Sequence, residues 1–201
     1  MWRFLQGLVL TLLFAAATAA GIALWRSPDP LFTAQQWAAG PRYWQYDALI
    51  AGLAARQGLD PHLLKAVIWR ESAFVADKIG TSGERGLMQV GEAAASDWAR
   101  AERVETFVPT DLFDPRTNLA VGGWYLARAL ERWKERDRPE VFALAEYNAG
   151  RSRVDRWIAE TRLAEKANAD DLIGAIDFPS TRRYIEDILA RRAIFARTPP
   201  R

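Results

Sequence analysis

The sequence predicts an all-α protein, a single globular helical domain preceded by an N-terminal hydrophobic helix. Three observations predict it. Apolar residues recur at helical spacing, as at Leu64, Val67 and Ile68, whereas no strand-period run exceeds four residues. The pairs Asp60-Pro61 and Asp114-Pro115 are helix starts, because the carboxylate accepts from free N–H groups and Pro fits the first turn. An uncharged stretch from Phe4 to Trp25 stands apart, closed by a proline-rich break.

Taken in order, the first element is that stretch, polar only at Gln6, Thr11 and Thr18. Arg3 and the α-amino group precede it, and Arg26, Ser27, Pro28, Asp29 and Pro30 end it. About 20 apolar residues span a bilayer core. Positive charge before them puts the N-terminus in the cytoplasm and the rest of the chain outside. Ala17-Thr18-Ala19 also has the small-residue pattern of a cleavage site, so an uncleaved anchor and a removed signal peptide both fit. Both carry the remaining residues across the membrane. The division is residues 1–30 for the anchor or signal with its linker, and 31–201 for the globular domain.

A short helix is predicted at 33–39, then one over 43–57 ended by Gly58. Helices follow from Asp60, over 85–99, from Asp114 to about Arg136, and over 140–147, 151–159 and 181–196. In the Asp114 helix, Leu119, Gly122, Gly123, Leu126, Leu130 and Trp133 share one face, and the glycines predict that another backbone approaches closely. Trp69, Trp124, Trp133 and Trp157 sit at helical spacings and read as core.

Composition narrows the chemistry. Of 201 residues half are hydrophobic, enough for one core; Lys+Arg number 27, Asp+Glu 25, His 1 and Cys 0. Without Cys there is no disulfide, thiol nucleophile or thiolate metal site. With His62 as the single imidazole there is no Ser-His-Asp triad and no multi-His metal site. No phosphate-cradling glycine loop is present, so no cofactor and no metal are expected. A net charge of +2, with Arg scattered along the chain, does not point to nucleic acid. Catalysis here rests on carboxylates, hydroxyls, amides and Arg.

One residue breaks the pattern. On the helix from Asp60, the stripe Leu64, Val67, Ile68 continues to Glu71, while Arg70 points away. A carboxylate on an apolar face costs several kcal/mol unless it is paired or protonated. A carboxylic acid kept protonated in a cleft is what general acid catalysis at neutral pH requires. The alternative is a helix that frays at Ser72, letting Glu71 reach water or an Arg.

The following segments bear on that choice: Glu71-Ser72-Ala73-Phe74, then Gly86-Leu87-Met88-Gln89, then Ala145-Glu146-Tyr147-Asn148-Ala149-Gly150, then Phe178-Pro179-Ser180-Thr181-Arg182-Arg183-Tyr184. Together, from about Tyr43 to Ile194, they resemble the catalytic domain of the soluble-type lytic transglycosylases, relatives of goose-type lysozyme. Asp111-Leu112-Phe113-Asp114-Pro115 and Asn118 resemble the family's connector into its central helix. The resemblance implies a lysozyme-like domain that cleaves the MurNAc–GlcNAc β-1,4 bond of peptidoglycan without water, leaving 1,6-anhydroMurNAc ends. It implies Glu71 as the single catalytic acid and base, assisted by the substrate's N-acetyl group, one of the exceptions to the two-carboxylate rule. The implied partners are glycan strands, the membrane if the first helix is retained, and a wall-spanning complex. The implied location is the periplasmic face of the inner membrane, or the periplasm after cleavage.

The resemblance also implies substrate-binding positions. Met88 and Gln89 would enter a helix beside Glu71 and line the sugar cleft; core filling is the other role of Met88. Tyr147 would bond Glu71 or an N-acetyl group, and Asn148 the substrate, although by local pattern they read as a core aromatic and a helix C-cap. Ser72 reads as a hydroxyl-to-backbone contact and Tyr184 as a cleft or packing residue. Three positions depart from the family: Gly80 stands for its Ser, Glu84 for its Ala and Glu92 for its Pro, with Thr81 and Ser82 the nearest hydroxyls. Asp77, Glu84 and Glu92 read as solvated surface charges. A hydrolytic muramidase of the same fold and a non-catalytic peptidoglycan-binding scaffold are the alternatives.

Overall fold

A computed structural model of the chain describes residues 2–27, 30–161 and 166–197, with the backbone alone at 3, 32 and 39. The linker residues Pro28 and Asp29 lie outside the described residues. The chain divides into two compact units, residues 1–43 and 44–201.

The first unit is helix α1, Trp2–Arg26, followed by α2, Pro30–Ala39, and a 3-10 turn at Gly40–Tyr43. Residues Phe4–Arg26 of α1 are long and apolar enough to cross a membrane, with mean hydropathy 2.2. Its side chains are almost all exposed. The Thr11 and Thr18 hydroxyls donate at 2.9 Å to the carbonyls of Gly7 and Phe14, so two of the three polar side chains between Phe4 and Trp25 are satisfied by the helix itself.

The second unit contains α3, Asp47–Gln57; α4, Pro61–Ser72; α5, Glu92–Ala101; α6, Pro115–Arg132; α7, Pro139–Ala149; α8, Arg151–Glu160; α9, Ala169–Ala175; and α10, Pro179–Arg197. A 3-10 turn at Pro109–Phe113 leads into α6. Both Asp-Pro starts form as the sequence predicts. Asp60 accepts from the His62 N–H at 2.8 Å, and Asp114 from the Thr117 N–H at 2.8 Å. Asp60 also takes Arg192 Nε of α10 at 2.6 Å, which ties the start of α4 to the C-terminal helix.

Helix α6 is the centre of the unit, packed by α3, α5 and α7, while α10 lies on α4 and α7. Its buried face carries Leu119, Val121 and Leu126, and α7 buries Val141, Phe142 and Leu144 completely. Each such side chain contributes about 1.5–3 kcal/mol. What comes close to the two α6 glycines is side chain rather than backbone. A Cβ on Gly122 would lie 2.6 Å from Met88 Sδ, and one on Gly123 would collide with the Gln57 amide. That amide donates to the Ala120 carbonyl at 2.8 Å and so fixes α3 to α6.

The helix expected over 85–99 begins only at Glu92. Gly86 has φ +79° and Gln89 φ +47°, values no right-handed helix contains. Arg85 and Val90 instead exchange both backbone hydrogen bonds at 3.0 Å. The apolar run Leu87-Met88-Val90 is therefore buried from a tight turn, and an apolar run that short does not distinguish the two. Helix α9 and the 109–113 turn were not expected. Of the four tryptophans read as core, Trp133 and Trp157 are buried, whereas Trp69 and Trp124 are half-buried.

Candidate active site

Glu71 occupies the last turn of α4. The helix does not fray there. Ala73, at φ +49°, closes it by donating its N–H to the Trp69 carbonyl at 2.9 Å, and Phe74, at φ +64°, turns inward to complete burial. Two successive left-handed residues cost roughly 1–2 kcal/mol each, offset here by burying Phe74. Ser72, buried just before them, donates to the Ile68 carbonyl at 3.2 Å, the local contact its residue type suggests.

The Glu71 carboxyl is half-buried, and its Oε1 accepts from the Tyr184 hydroxyl of α10 at 2.7 Å. Arg70 does not pair with it; its Nε donates to Asp187 at 3.2 Å, and its guanidinium lies over the Tyr184 ring. Lys78 donates to the Glu71 backbone carbonyl. Burial pushes the Glu71 carboxyl up from the ordinary carboxylate range. The Tyr184 bond and the charges of Arg70 and Lys78 pull it down, and the Glu84 carboxylate adds to the rise. The net direction is upward, towards the protonated acid. Burial also holds the Tyr147 and Tyr184 hydroxyls far above their usual range, with the Glu71 charge adding to it, so both stay donors.

Facing Glu71 is the turn of residues 78–91. Gly80 N–H donates to the Glu84 carbonyl at 2.7 Å and Gly86 N–H to the Lys78 carbonyl at 2.9 Å. The side chain of Asn118, wholly buried on α6, holds this turn from behind. It accepts from the Met88 N–H at 2.8 Å and donates to the carbonyls of Arg85 and Leu112 at 2.7 and 2.8 Å. The Asn118 amide leaves no room for a Cβ on Gly86. From the other side Tyr147 donates to the Met88 carbonyl at 3.0 Å.

Four of the sequence-predicted residues thus surround one site: Glu71, Gln89, Tyr147 and Tyr184. The tyrosine bonded to Glu71 is Tyr184, while Tyr147 holds the Met88 carbonyl. The Met88 side chain is 0% exposed, with its sulfur against α6, so it fills the core and only its backbone serves the site. Asn148 is not the cap of α7, a place taken by Gly150. Its Oδ1 accepts from the Thr181 hydroxyl at 2.8 Å and links α7 to α10.

Of the three acidic residues read as surface charges, Asp77 and Glu92 are exposed, but Glu84 is not simply solvated. Its side chain folds over Gly80, where Oε2 accepts the Ser82 N–H at 3.1 Å. Sequence reasoning missed that approach and missed Lys78. The paired departures at Gly80 and Glu84 were the available signal, a vacated side chain beside an added one. Among the described residues no group of His, Asp and Glu is arranged to hold a metal ion.

Beyond Gln89 and Tyr147 a cavity of about 280 Å³ continues between Ala94, Gly122, Tyr125 and Glu146. Glu146 is engaged by Arg132 and by Trp133 Nε1, the latter at 2.7 Å. A larger groove of about 920 Å³, lined by Trp98, Trp124 and Arg128, contains none of these site residues. Volume alone does not mark the chemistry; the raised carboxyl does.

An all-α, lysozyme-like domain with a half-buried carboxyl at the end of α4 is the class defined here, and solved structures share that fold. The 70-kDa soluble lytic transglycosylase of Escherichia coli superposes with a TM-score of 0.66 at 26% identity, over 77% of this chain and 25% of that one. The chain belongs to the Transglycosylase SLT domain family, which it matches over residues 48–169. The soluble lytic murein transglycosylase of Escherichia coli (strain K12) is 29% identical over 131 residues, 65% of this chain and 20% of that protein. Membrane-bound lytic murein transglycosylase F of Desulfosudis oleivorans is 33% identical over 113 residues, 55% of this chain and 23% of that protein. The chain thus spans about a fifth of the length of these curated relatives.

Proposed function

We propose that this protein is a peptidoglycan lytic transglycosylase that cleaves the MurNAc–GlcNAc β-1,4 bond without water, with Glu71 as the single general acid and base. The observation that carries the reading is the Glu71 carboxyl, raised by burial and held by the Tyr184 hydroxyl, with Lys78 and Glu84 of the neighbouring turn acting on it. Since Tyr184 donates to Oε1, the acid proton resides on Oε2, the oxygen left to face substrate. Oε2–H gives its proton to the glycosidic oxygen as the C1–O bond breaks and the GlcNAc 4-hydroxyl departs. The carbonyl oxygen of the MurNAc N-acetyl group bonds C1 in the meantime. The Glu71 carboxylate, now stabilised by Tyr184 and by the Arg70 and Lys78 charges, takes the C6 hydroxyl proton. O6 then bonds C1, the acetyl oxygen leaves, and a 1,6-anhydro ring closes with Glu71 reprotonated.

Substrate-binding roles fall to Gln89, Tyr147 and Asn148, with Tyr184, Ser72 and Met88 shaping the site from behind. The names of the relatives support this substrate class. Helix α1 supports an anchor in the inner membrane with residues 31–201 as the catalytic domain on the periplasmic face, where the strands and a wall-spanning complex are the partners. N-terminal sequencing of the mature protein separates a retained α1 from a cleaved one.

A hydrolytic muramidase is the second reading, favoured by the Glu84 carboxylate close enough to raise Glu71. Mass spectrometry of muropeptides released from purified sacculi decides among the readings. Anhydro ends are expected; reducing ends mean hydrolysis, and no release means a binding scaffold. Glu71→Gln is expected to abolish release while binding to sacculi persists, and retained release would overturn the assignment.

A further inference from the structure

Helix α6 presents a second stripe that carries none of the site residues. Ala120, Trp124, Ala127 and Glu131, three and four residues apart, floor the groove of about 920 Å³, with walls from α3 and α5. The alanines give it depth, and Trp98 and Trp124, both half-buried, give it aromatic faces. Its charges are unbalanced. Arg56, Arg116 and Arg128 line it and make no hydrogen bond or ion pair among the described residues. Of the acidic side chains on the lining, Glu131 is taken by Lys134 at 2.7 Å, and Glu102 is unpaired among the described residues.

Arg128 is set to take a carboxylate. Its guanidinium lies over the Trp124 ring, 4.4 Å from the centroid. An arginine held over a ring keeps N–H groups at its edge for a bidentate pair. The nearby Asp97 does not claim it, being bonded by Arg100 and by the Tyr125 hydroxyl, the latter at 3.0 Å. Arg116 stands twelve residues before Arg128 on the same helix, about 18 Å along the axis. That is the reach of about five extended residues. An apolar floor with guanidinia along it and one carboxylate beside them fits a short extended peptide that bears several carboxylates and a single ammonium.

Resting on the peptidoglycan-cleaving reading of the protein, we propose that this groove binds a peptide stem of the wall, whose diamino diacid residue supplies such carboxylates and the ammonium. The arginines take the carboxylates and Glu102 takes the ammonium, while the tryptophans cover the apolar part of the stem. The protein thereby holds peptide-bearing strands in preference to naked ones, through a surface separate from the Glu71 site.

The probe is a fluorescein-labelled tripeptide stem, added to the full Glu71→Gln chain in detergent so that no turnover intervenes. Two control peptides accompany it, the same stem with its carboxylates amidated and an oligoglutamate of equal length. Arg116 and Arg128 are exposed, so Arg116→Gln with Arg128→Gln is expected to leave the thermal melt unchanged. Stem binding is expected to weaken about tenfold in that double variant, about as much on amidation, and to fall as salt rises from about 0.05 to about 0.5 M. Oligoglutamate, lacking the ammonium, is expected to bind less tightly, and Glu102→Gln to remove the difference. No binding of the stem, or binding indifferent to the double variant or to amidation, overturns the proposal. Oligoglutamate bound as tightly as the stem makes the groove a general surface for acidic proteins and also overturns it. So does a dimer in light scattering that the double variant dissociates, which assigns the groove to a second copy. With Glu71 intact, the double variant is expected to raise KM for peptide-bearing strands about tenfold with kcat within about twofold, and to leave KM for amidase-stripped strands unchanged. An equal change on both substrates, or none on either, overturns the selection of peptide-bearing strands. The peptide result stands apart from catalysis. Binding lost in the double variant supports the groove even if wild type leaves sacculi intact, and absent binding overturns it even if wild type forms anhydro ends.

Discussion

Asn118→Ala tests how the turn that faces Glu71 is held. The asparagine side chain makes three hydrogen bonds at 2.7–2.8 Å, one from the Met88 N–H and two to the carbonyls of Arg85 and Leu112. Each is worth about 1 kcal/mol net, and orphaning a buried partner costs about 1–3 kcal/mol. A loss of about 3–5 kcal/mol is therefore expected, a large part of the roughly 5–15 kcal/mol that holds a domain folded. Urea unfolding of the full chain in detergent, followed by tryptophan fluorescence, measures it. The Met88 carbonyl is the acceptor of Tyr147, and Gln89 follows it in the turn, so activity falls alongside stability. Asn118→Asp keeps the acceptor but sets a carboxylate against two carbonyls, and is expected to destabilise at least as much. A cost below about 1 kcal/mol with unchanged kcat/KM would refute the staple.

Two further outcomes follow from the same geometry. Tyr184→Phe removes a donor that lowers the Glu71 pKa, so that pKa rises further; the acid form persists to higher pH, and the alkaline limb of the kcat profile moves up while kcat drops about tenfold. An alkaline limb that stays fixed in the pH–rate profile contradicts it. Asp60→Ala removes the α4 cap and the Arg192 pair and costs about 1–2 kcal/mol at neutral pH. The Asp60 pKa is lowered on folding: although burial raises it, the His62 N–H and Arg192 outweigh that. Its contribution is thus present above the ordinary carboxylate range and lost as pH falls through the lowered value. Wild type and variant should converge in acid, and a constant difference across pH in denaturant titrations would argue against it.

Much of this was legible in the residues themselves. Asp60-Pro61 and Asp114-Pro115 mark helix starts because capping is local chemistry, and Glu71 stands out because three apolar neighbours define its face. The turn at 86–91 was misread as helix because its apolar content obeys no period and its register is set by Asn118, distant in sequence. Tyr184 carried no signal for its bond to Glu71, since that contact joins residues on α4 and α10 that only packing brings together. Glu84 looked like surface charge because a carboxylate's reach over a bare glycine is a matter of three-dimensional shape.

The matched family segment ends at residue 169, yet the hydroxyl that holds the Glu71 carboxyl comes from Tyr184 on α10. An excised 48–169 piece would keep the segments at 71–74, 86–89 and 145–150 but lose the one at 178–184, and with it the tether on Glu71. It would also lose Arg192, the far anchor of the helix that bears Glu71. The folded unit is set by where α10 stops rather than by where the likeness stops, and anyone trimming this chain should cut beyond residue 197.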